Sequence, residues 1–190
     1  LTAFASSLDQ IGPVTGNVRD NALIFSIIAG KDGKDSTAAD VKYDSQVTPV
    51  LKGRKIGVIR EQLRAPTLSR EVADDFEGAL KILSDAGAEI EYYDMPSFDA
   101  GIAAYFAISC AEATTNLARF DGIRYGRRAA GDSYAEICAR SRGEGFGREV
   151  KLRLMTGAYV LSGENYEKYY VKALKVRAAI AAALNDILKD

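Results

Sequence analysis

The segment from Ile102 to Asn116 is apolar except along one line of polar side chains. Spacings of four, three and four residues place these side chains on one face of an α-helix: Tyr105, Ser109, Glu112 and Asn116. The rest of the segment is typical of a buried helix. Because buried polar groups need hydrogen-bond partners, the line predicts either a satisfied internal network or the wall of a binding site.

A strand, a helix and a second strand follow one another between about residues 54 and 95. Lys55–Ile59 has the length and apolar content of a short buried strand, and residues 88–93 alternate as the second strand. Between them, Ser69 can cap a helix that ends at Gly87. The apolar stripe of that helix consists of Val72, Phe76, Ala79, Leu80 and Leu83. The pattern predicts a βαβ unit with parallel strands and a right-handed crossover.

Helical periodicity also predicts a helix before this unit and a series of helices after it. The first covers about residues 17–29, has the stripe Val18, Ala22, Phe25 and Ile28, and ends at Gly30. After Pro96, helical patterns cover residues 98–118, 133–142, 148–162 and 165–188. The fold class is therefore α/β, with a βαβ unit at about 54–95 followed by a helical region.

Composition indicates an ordinary globular protein. The 190 residues are 47% hydrophobic and 27% charged, with a formal net charge of −1, which suffices for one domain with a real core. We expect neither a signal peptide nor a membrane-spanning segment. The near-neutral charge argues against nucleic-acid binding by bulk charge.

The sequence contains no histidine. This excludes Ser-His-Asp and Cys-His nucleophile pairs, zinc sites that need histidine and the commonest general base. Cys110 and Cys138 cannot form a four-ligand metal site, and we expect both to be reduced, buried thiols in a cytosolic protein. Any catalysis would use serine, lysine, carboxylate or backbone groups.

Arg153 is a candidate for binding an anion. It lies in the helical pattern 149–161, and Gly157, four residues later, is expected to leave room above the guanidinium. Arginine suits a carboxylate because it offers two parallel donors in a fixed plane. Alternatively, its side chain runs along the helix or pairs with a structural acid such as Glu112 or Glu149.

The segment 118–128 is basic and interleaved with aromatic residues. This composition is found in RNA-binding loops. In a chain of near-neutral charge, a solvated or internally paired surface is the competing interpretation.

Several separate sequence segments resemble those of one enzyme family. The segment Phe4–Pro13 is similar to the corresponding segment of the amidase-signature enzymes. Among these enzymes, the A subunits of the bacterial glutamyl-tRNA(Gln) amidotransferases are similar to further segments of this chain, which occur in the same order along the sequence. These segments are residues 116–126, 143–147, 149–151, 159–162 and 169–173. The resemblance runs from about residue 3 to about residue 178.

The resemblance implies an α/β/α fold around a mixed sheet and a glutaminase activity that needs no histidine. Such enzymes use a serine nucleophile, a second serine joined by a cis peptide, and a lysine. The glycine–serine loops and the lysine precede the phrase at Phe4, so we expect residues 1–190 to be a partial amidase-signature domain without catalytic residues. Ser6 and Ser7 lack the Gly-Gly-Ser context of the family nucleophile.

The resemblance also implies partners. In these amidotransferases the A subunit passes ammonia to the B subunit, which amidates Glu-tRNA(Gln) with ATP and Mg²⁺. The small C subunit wraps around the A subunit. No cofactor and no metal are expected in this chain itself. The implied assembly is a cytoplasmic heterotrimer.

Two glutamine-binding residues of the family correspond to positions here. The tyrosine that helps to hold glutamine matches Tyr105, and the arginine that binds its α-carboxylate matches Arg153; the family's third contact lies beyond Asp190. Two alternatives stay open: another amidase-signature amide hydrolase, and a non-catalytic scaffold or interaction module. Because a neutral amide substrate does not need a carboxylate-binding arginine, ligand selectivity separates the first alternative from the glutaminase.

Overall fold

The computed structural model describes residues 2–43 and 50–189. By their contacts these residues form two compact units. One unit comprises the N-terminal residues up to Asp9, Gly57–Asp74 and the chain from Glu91 onward. The other comprises Gln10–Ile56 and Asp75–Ile90.

The observed elements follow the predicted order. The helices are α1 (Val18–Ile28), α2 (Arg60–Leu63), α3 (Arg70–Asp85), α4 (Gly101–Asn116), α5 (Tyr134–Gly145), α6 (Arg148–Val160) and α7 (Lys172–Ile187). The strands are β1 (Lys55–Ile59) and β2 (Glu89–Tyr93). Short 3₁₀ turns at Pro96–Ala100 and Leu117–Arg119 flank α4, and a π-helical turn at Tyr166–Val171 leads into α7. The short helix α2 was not predicted.

Strands β1 and β2 pair as a two-stranded parallel sheet, which confirms the α/β class and the βαβ order. The hydroxyl of Ser69 accepts a hydrogen bond from Val72 N at 3.3 Å, as expected for the residue that caps α3. Gly87 follows α3 with a positive φ of 97°, a conformation that favours glycine. The handedness of the crossover stays a prediction.

The start and end of α1 agree with the sequence, but its burial does not. The side chain of Asn17 accepts a hydrogen bond from Asp20 N at 2.9 Å and caps the helix. Val18 and Ile28 on the predicted stripe are nevertheless mostly exposed, while Phe25 packs edge-on against Tyr43. Apolar periodicity identifies the face that a helix can bury, but not whether anything in the same chain covers it.

Helix α4 is the centre of the unit that contains it, and it packs against α6 and α7. Ile108, Ser109 and Cys110 in its middle are fully buried, and Ala104 and Ile108 form a cluster with Ala173 of α7. The expectation that the whole helix is buried is wrong at Ile102 and Phe106, which are exposed, although Ala104 between them is buried. The buried residues of α4 are Ala104, Ile108, Ser109, Cys110, Ala111 and Ala113.

None of the helices in residues 2–43 and 50–189 has both the length and the apolar character needed to span a bilayer.

Candidate functional site

The polar line on α4 holds the N-terminal turn of the chain. The carboxylate of Glu112 accepts hydrogen bonds from the backbone N of Ser7 at 2.9 Å and from its hydroxyl at 2.5 Å. The amide nitrogen of Asn116 donates to the carbonyl oxygen of Phe4 at 3.0 Å and to the hydroxyl of Ser6 at 2.9 Å. At these two positions the line forms a satisfied internal network, one of the two alternatives that the sequence left open.

The turn formed by residues 4–9 is also stabilised by hydrogen bonds within itself. The carboxylate of Asp9 accepts hydrogen bonds from the backbone N of Phe4 at 2.9 Å and of Ala5 at 3.0 Å. Arg177 of α7 donates from Nη1 to the hydroxyl of Ser7 at 2.8 Å. Ser7 Oγ therefore donates to Glu112 and accepts from Arg177, so its hydroxyl has a structural environment.

Arg153 projects from α6 and is held by a carboxylate one turn earlier. Its Nε donates to Glu149 Oε1 at 2.9 Å, and about a quarter of its side chain is exposed. The hydrogen bond with Glu149 raises the pKa of the Arg153 guanidinium above its ordinary value, so the group stays charged. Pairing with Glu149 was one of the alternatives given by the sequence.

Two aromatic rings lie beside the same guanidinium. Cζ of Arg153 is 5.8 Å from the ring centroid of Phe4 and 5.5 Å from that of Phe106. Both distances are within the range of a cation–π interaction. The contact with Phe106 joins α6 to α4, and the contact with Phe4 joins α6 to the turn 4–9.

Gly157 does not serve the purpose expected from the sequence. Instead of leaving room above Arg153, its bare Cα faces the backbone of α4 at Cys110. Close approach of two helices requires a small residue at the contact, and glycine permits the closest approach. Its role is thus in helix packing.

Tyr105 lies on α4 next to Phe106 and is about half exposed. It lines a cleft of 460 Å³ whose other walls include Glu61 of α2 and Phe98. Arg153 is not part of the lining of that cleft. The structure thus places both predicted site residues on two helices that pack together, and a shared glutamine cavity stays a prediction.

Sequence reasoning missed Phe4 and Phe106 as neighbours of Arg153. The i,i+4 spacing of Glu149 and Arg153 signals a helical ion pair directly. No local pattern signals the contact of Phe4, because the residues that bring it to Arg153 are far apart in the sequence.

Both cysteines are free, as expected. Cys110 is fully buried, and this burial raises the pKa of its thiol, whereas Cys138 is only partly buried. The expectation of two buried thiols is therefore correct for Cys110 alone. Within the described residues, no group of three or more cysteine, aspartate or glutamate side chains is placed to hold a metal ion.

The basic segment is tied together by internal hydrogen bonds. The carboxylate of Asp121 accepts from the backbone N of Ile123 and of Arg124, each at 2.9 Å, and from Arg124 Nε at 3.0 Å. Nη1 of Arg142 on α5 donates to the carbonyl oxygens of Leu117 at 2.8 Å and of Phe120 at 3.2 Å. These contacts support an internally paired surface over a nucleic-acid site.

Comparisons with known proteins agree with the resemblance in the sequence. The A subunit of the glutamyl-tRNA(Gln) amidotransferase of Clostridium botulinum (strain Kyoto / Type A2) is 46% identical over 194 residues, which cover 100% of this chain and 40% of the relative. Its counterpart from Campylobacter curvus is 42% identical over 190 residues, covering 100% of this chain and 42% of the relative. The chain thus spans about two-fifths of the length of these relatives.

Solved structures show the same likeness in the fold. The crystal structure of the A subunit of glutamyl-tRNA(Gln) amidotransferase from Thermotoga maritima matches with a TM-score of 0.67 and 35% identity, covering 98% of this chain and 36% of that one. A crystal structure of an amidase matches with a TM-score of 0.61 at 20% identity, covering 96% of this chain and 33% of that one, and shows the fold alone. The sequence model of the amidase family matches residues 1–190. The chain therefore belongs to the amidase family.

Proposed function

We propose that this chain is the glutamine-binding part of a glutaminase whose ammonia is used to convert Glu-tRNA(Gln) to Gln-tRNA(Gln). The choice of reaction is supported by its similarity to A subunits of glutamyl-tRNA(Gln) amidotransferases. The observation that supports the binding role is the hydrogen bonding of the Arg153 guanidinium. Its Nε is occupied by Glu149, whereas Nη1 and Nη2 make no hydrogen bond to any residue in the described ranges.

A substrate carboxylate fits the terminal side of this guanidinium. Two parallel N–H donors match the two oxygens of the α-carboxylate of glutamine, and the charge of the arginine assists both hydrogen bonds. Tyr105 supplies a phenol for a further contact with the same substrate. Arg153 and Tyr105 bind and orient glutamine, while water hydrolyses its side-chain amide to glutamate and ammonia.

We assign no catalytic residue within this chain. The serine nucleophile, the second serine and the lysine of the family belong, in this proposal, to other parts of the full-length protein. Ser6 and Ser7 are engaged by Asn116, Glu112 and Arg177, which gives both hydroxyls structural partners.

The proposed assembly is a cytoplasmic heterotrimer of this protein with the B and C subunits of the amidotransferase. Ammonia released from glutamine passes to the B subunit, which uses ATP and Mg²⁺ on Glu-tRNA(Gln). No residue of this chain is assigned to ATP, Mg²⁺ or tRNA.

Arg153→Ala in the full-length protein, assembled with its partners, tests the proposal. Loss of a bidentate, charge-assisted contact of about 2–4 kcal/mol should raise the glutaminase KM for glutamine roughly 30- to 1,000-fold. Arg148→Ala, which removes an exposed arginine from the same helix, is the matched control and should leave KM within about twofold. An unchanged KM in Arg153→Ala would give Arg153 a purely structural role.

The first alternative is an amidase-family hydrolase that acts on neutral amides. Glutamine and hexanamide, compared at equal concentration, separate the two, because only glutamine has the carboxylate that Arg153 would bind. The proposal requires that the enzyme prefers glutamine and that Arg153→Ala removes this preference. Equal kcat/KM for both amides would support the alternative.

The second alternative is a non-catalytic scaffold. The reading frame upstream of Leu1 decides this point. Glycine–serine-rich loops together with a lysine there support the glutaminase, and a frame without them supports the scaffold.

A further inference from the structure

Three side chains from separate parts of the fold converge on the guanidinium of Arg153. Glu149 holds its Nε, and the rings of Phe4 and Phe106 lie within 5.8 Å of its Cζ. We propose that Glu149, Phe4 and Phe106 are positioning residues that fix the guanidinium so that its Nη1–Nη2 edge faces the substrate carboxylate. This inference rests on the proposed function, since it presumes that Arg153 binds glutamine.

The choice of edge follows from the pairing with Glu149. A guanidinium can bind a carboxylate with two donors either through Nη1 and Nη2 or through Nε and the nearer Nη. In this chain, Nε already donates to Glu149 Oε1 at 2.9 Å. The terminal edge is thus the one on which a second carboxylate can bind with both oxygens.

The position of Glu149 makes it suitable as an anchor beside an anionic substrate. It is one helical turn from Arg153 on α6, and its side chain is 67% exposed, against 26% for Arg153. Solvent screens the repulsion between an exposed carboxylate and the bound substrate. Its contribution is therefore the acceptor oxygen that orients Nε, and a neutral amide at position 149 can supply the same oxygen.

The ring of Phe4 is held in place from α4. The carbonyl oxygen of Phe4 accepts from Asn116, and its backbone N donates to Asp9. Because both polar groups of its backbone are bonded, the position of its ring relative to Arg153 depends on the turn 4–9 and on the polar line of α4. Three of the residues that stand out in the sequence, Phe4, Asn116 and Arg153, thus belong to one connected arrangement.

Glutaminase kinetics of the full-length protein in its complex test the inference. In Glu149→Ala, the guanidinium loses its anchor, and we expect KM for glutamine to rise about tenfold with kcat within about twofold. Glu149→Gln retains an acceptor oxygen, so its KM should return to within about threefold of the wild type. In Phe106→Leu, which keeps an apolar side chain but removes the ring, KM should rise about two- to fivefold.

Glu144→Ala is the matched control, because Glu144 lies on α5 and pairs with Arg127. Its KM should equal that of the wild type. Thermal melts of all variants separate loss of folding, which would lower kcat and Tm together, from loss of positioning, which raises KM alone.

Comparison with Arg153→Ala distinguishes the positioning role of Glu149 from the binding of glutamine by Arg153. If Arg153→Ala raises KM and Glu149→Ala does not, the positioning role is wrong and glutamine binding by Arg153 stands. If neither variant changes KM, the proposed function itself is wrong. Should Glu149→Ala fail to fold, Phe106→Leu decides, and an unchanged KM in that variant would overturn the positioning role.

Discussion

Gly157 of α6 lies directly against the carbonyl oxygen of Cys110 in α4. A Cβ atom built on Gly157 would overlap both that oxygen and the hydroxyl of Thr114. The same hydroxyl lies 2.9 Å from the carbonyl oxygen of Cys110 and 3.0 Å from that of Leu154, so it bridges the two helices. The helix that bears Arg153 is thus positioned against α4 by the absence of a side chain at residue 157.

Gly157→Ala should destabilise the protein strongly. The added methyl group collides with backbone, which cannot rotate away as a side chain can, and overpacking of this kind costs about 1–3 kcal/mol or more. Thermal or urea denaturation of the full-length protein measures the effect. Gly143→Ala in α5 is the control, because a Cβ there meets no atom within 4 Å and alanine favours the helix. Equal stability of the two variants would contradict the packing role.

Tyr105→Phe should affect glutamine binding much less than Arg153→Ala. The substitution removes one neutral hydrogen bond, so we expect KM for glutamine to rise about tenfold or less.

Arg153→Lys should recover only part of the wild-type affinity, because an ammonium cannot reproduce the two parallel donors. Both variants are measured in the assembled complex. A larger defect in Tyr105→Phe than in Arg153→Ala would reverse the proposed roles.

Much of the backbone could be predicted from the sequence, because its signals are local. The strand at Lys55–Ile59, the cap at Ser69 and the glycine at Gly87 each depend on a few neighbouring residues. Burial could not be predicted in the same way. Val18 and Ile102 have apolar side chains on helices, yet both are exposed, since burial depends on what packs against the helix.

In the candidate site, too, local contacts could be predicted from the sequence and long-range contacts could not. The i,i+4 relation of Glu149 and Arg153 is local, and the sequence offered it as an alternative. The contact between Phe4 and Arg153 depends on the turn 4–9 being held by Asn116, which lies on a distant part of the chain. Likewise, the role of Gly157 was predicted incorrectly because the opposing backbone of α4 leaves no trace in the sequence around it.

The purified 190-residue chain should release no ammonia from glutamine. No residue within it is assigned as nucleophile, and without a nucleophile no acyl-enzyme intermediate can form. Ammonia is measured with a coupled assay against a blank without protein, and the full-length complex serves as the positive control. Activity above the blank in a preparation of verified mass would show that a catalytic residue lies within residues 1–190.

The isolated chain should also be marginally stable and should bind an apolar dye. Large side chains around α1 are exposed, among them Val14 at 100%, Ile27 at 74% and Val18 at 68%. Exposed apolar area forgoes about 25 cal/mol per Å² of stabilisation. Ile27→Gln should lower dye fluorescence without lowering Tm. A monomer that binds no dye and melts sharply well above about 60 °C would be inconsistent with this expectation.

Asp121 should contribute to stability in a way that depends on pH. Hydrogen bonds from the backbone N of Arg124 and Ile123 lower its pKa to about 2 in the folded protein. Since the pKa of an aspartate in the unfolded chain is about 3.9, the folded state favours the charged form. The stabilisation is therefore fully present above about pH 4 and is lost as the pH falls through about 2.

Asp121→Asn tests this pH dependence, because it keeps an acceptor oxygen but loses the charge. Its Tm should lie below that of the wild type at about pH 7, where the charged form of Asp121 contributes fully. The difference in Tm should shrink as the pH approaches about 2, and melts of both proteins at several pH values measure it. A difference that stays constant over this whole range would show that the charge of Asp121 is not what stabilises the loop.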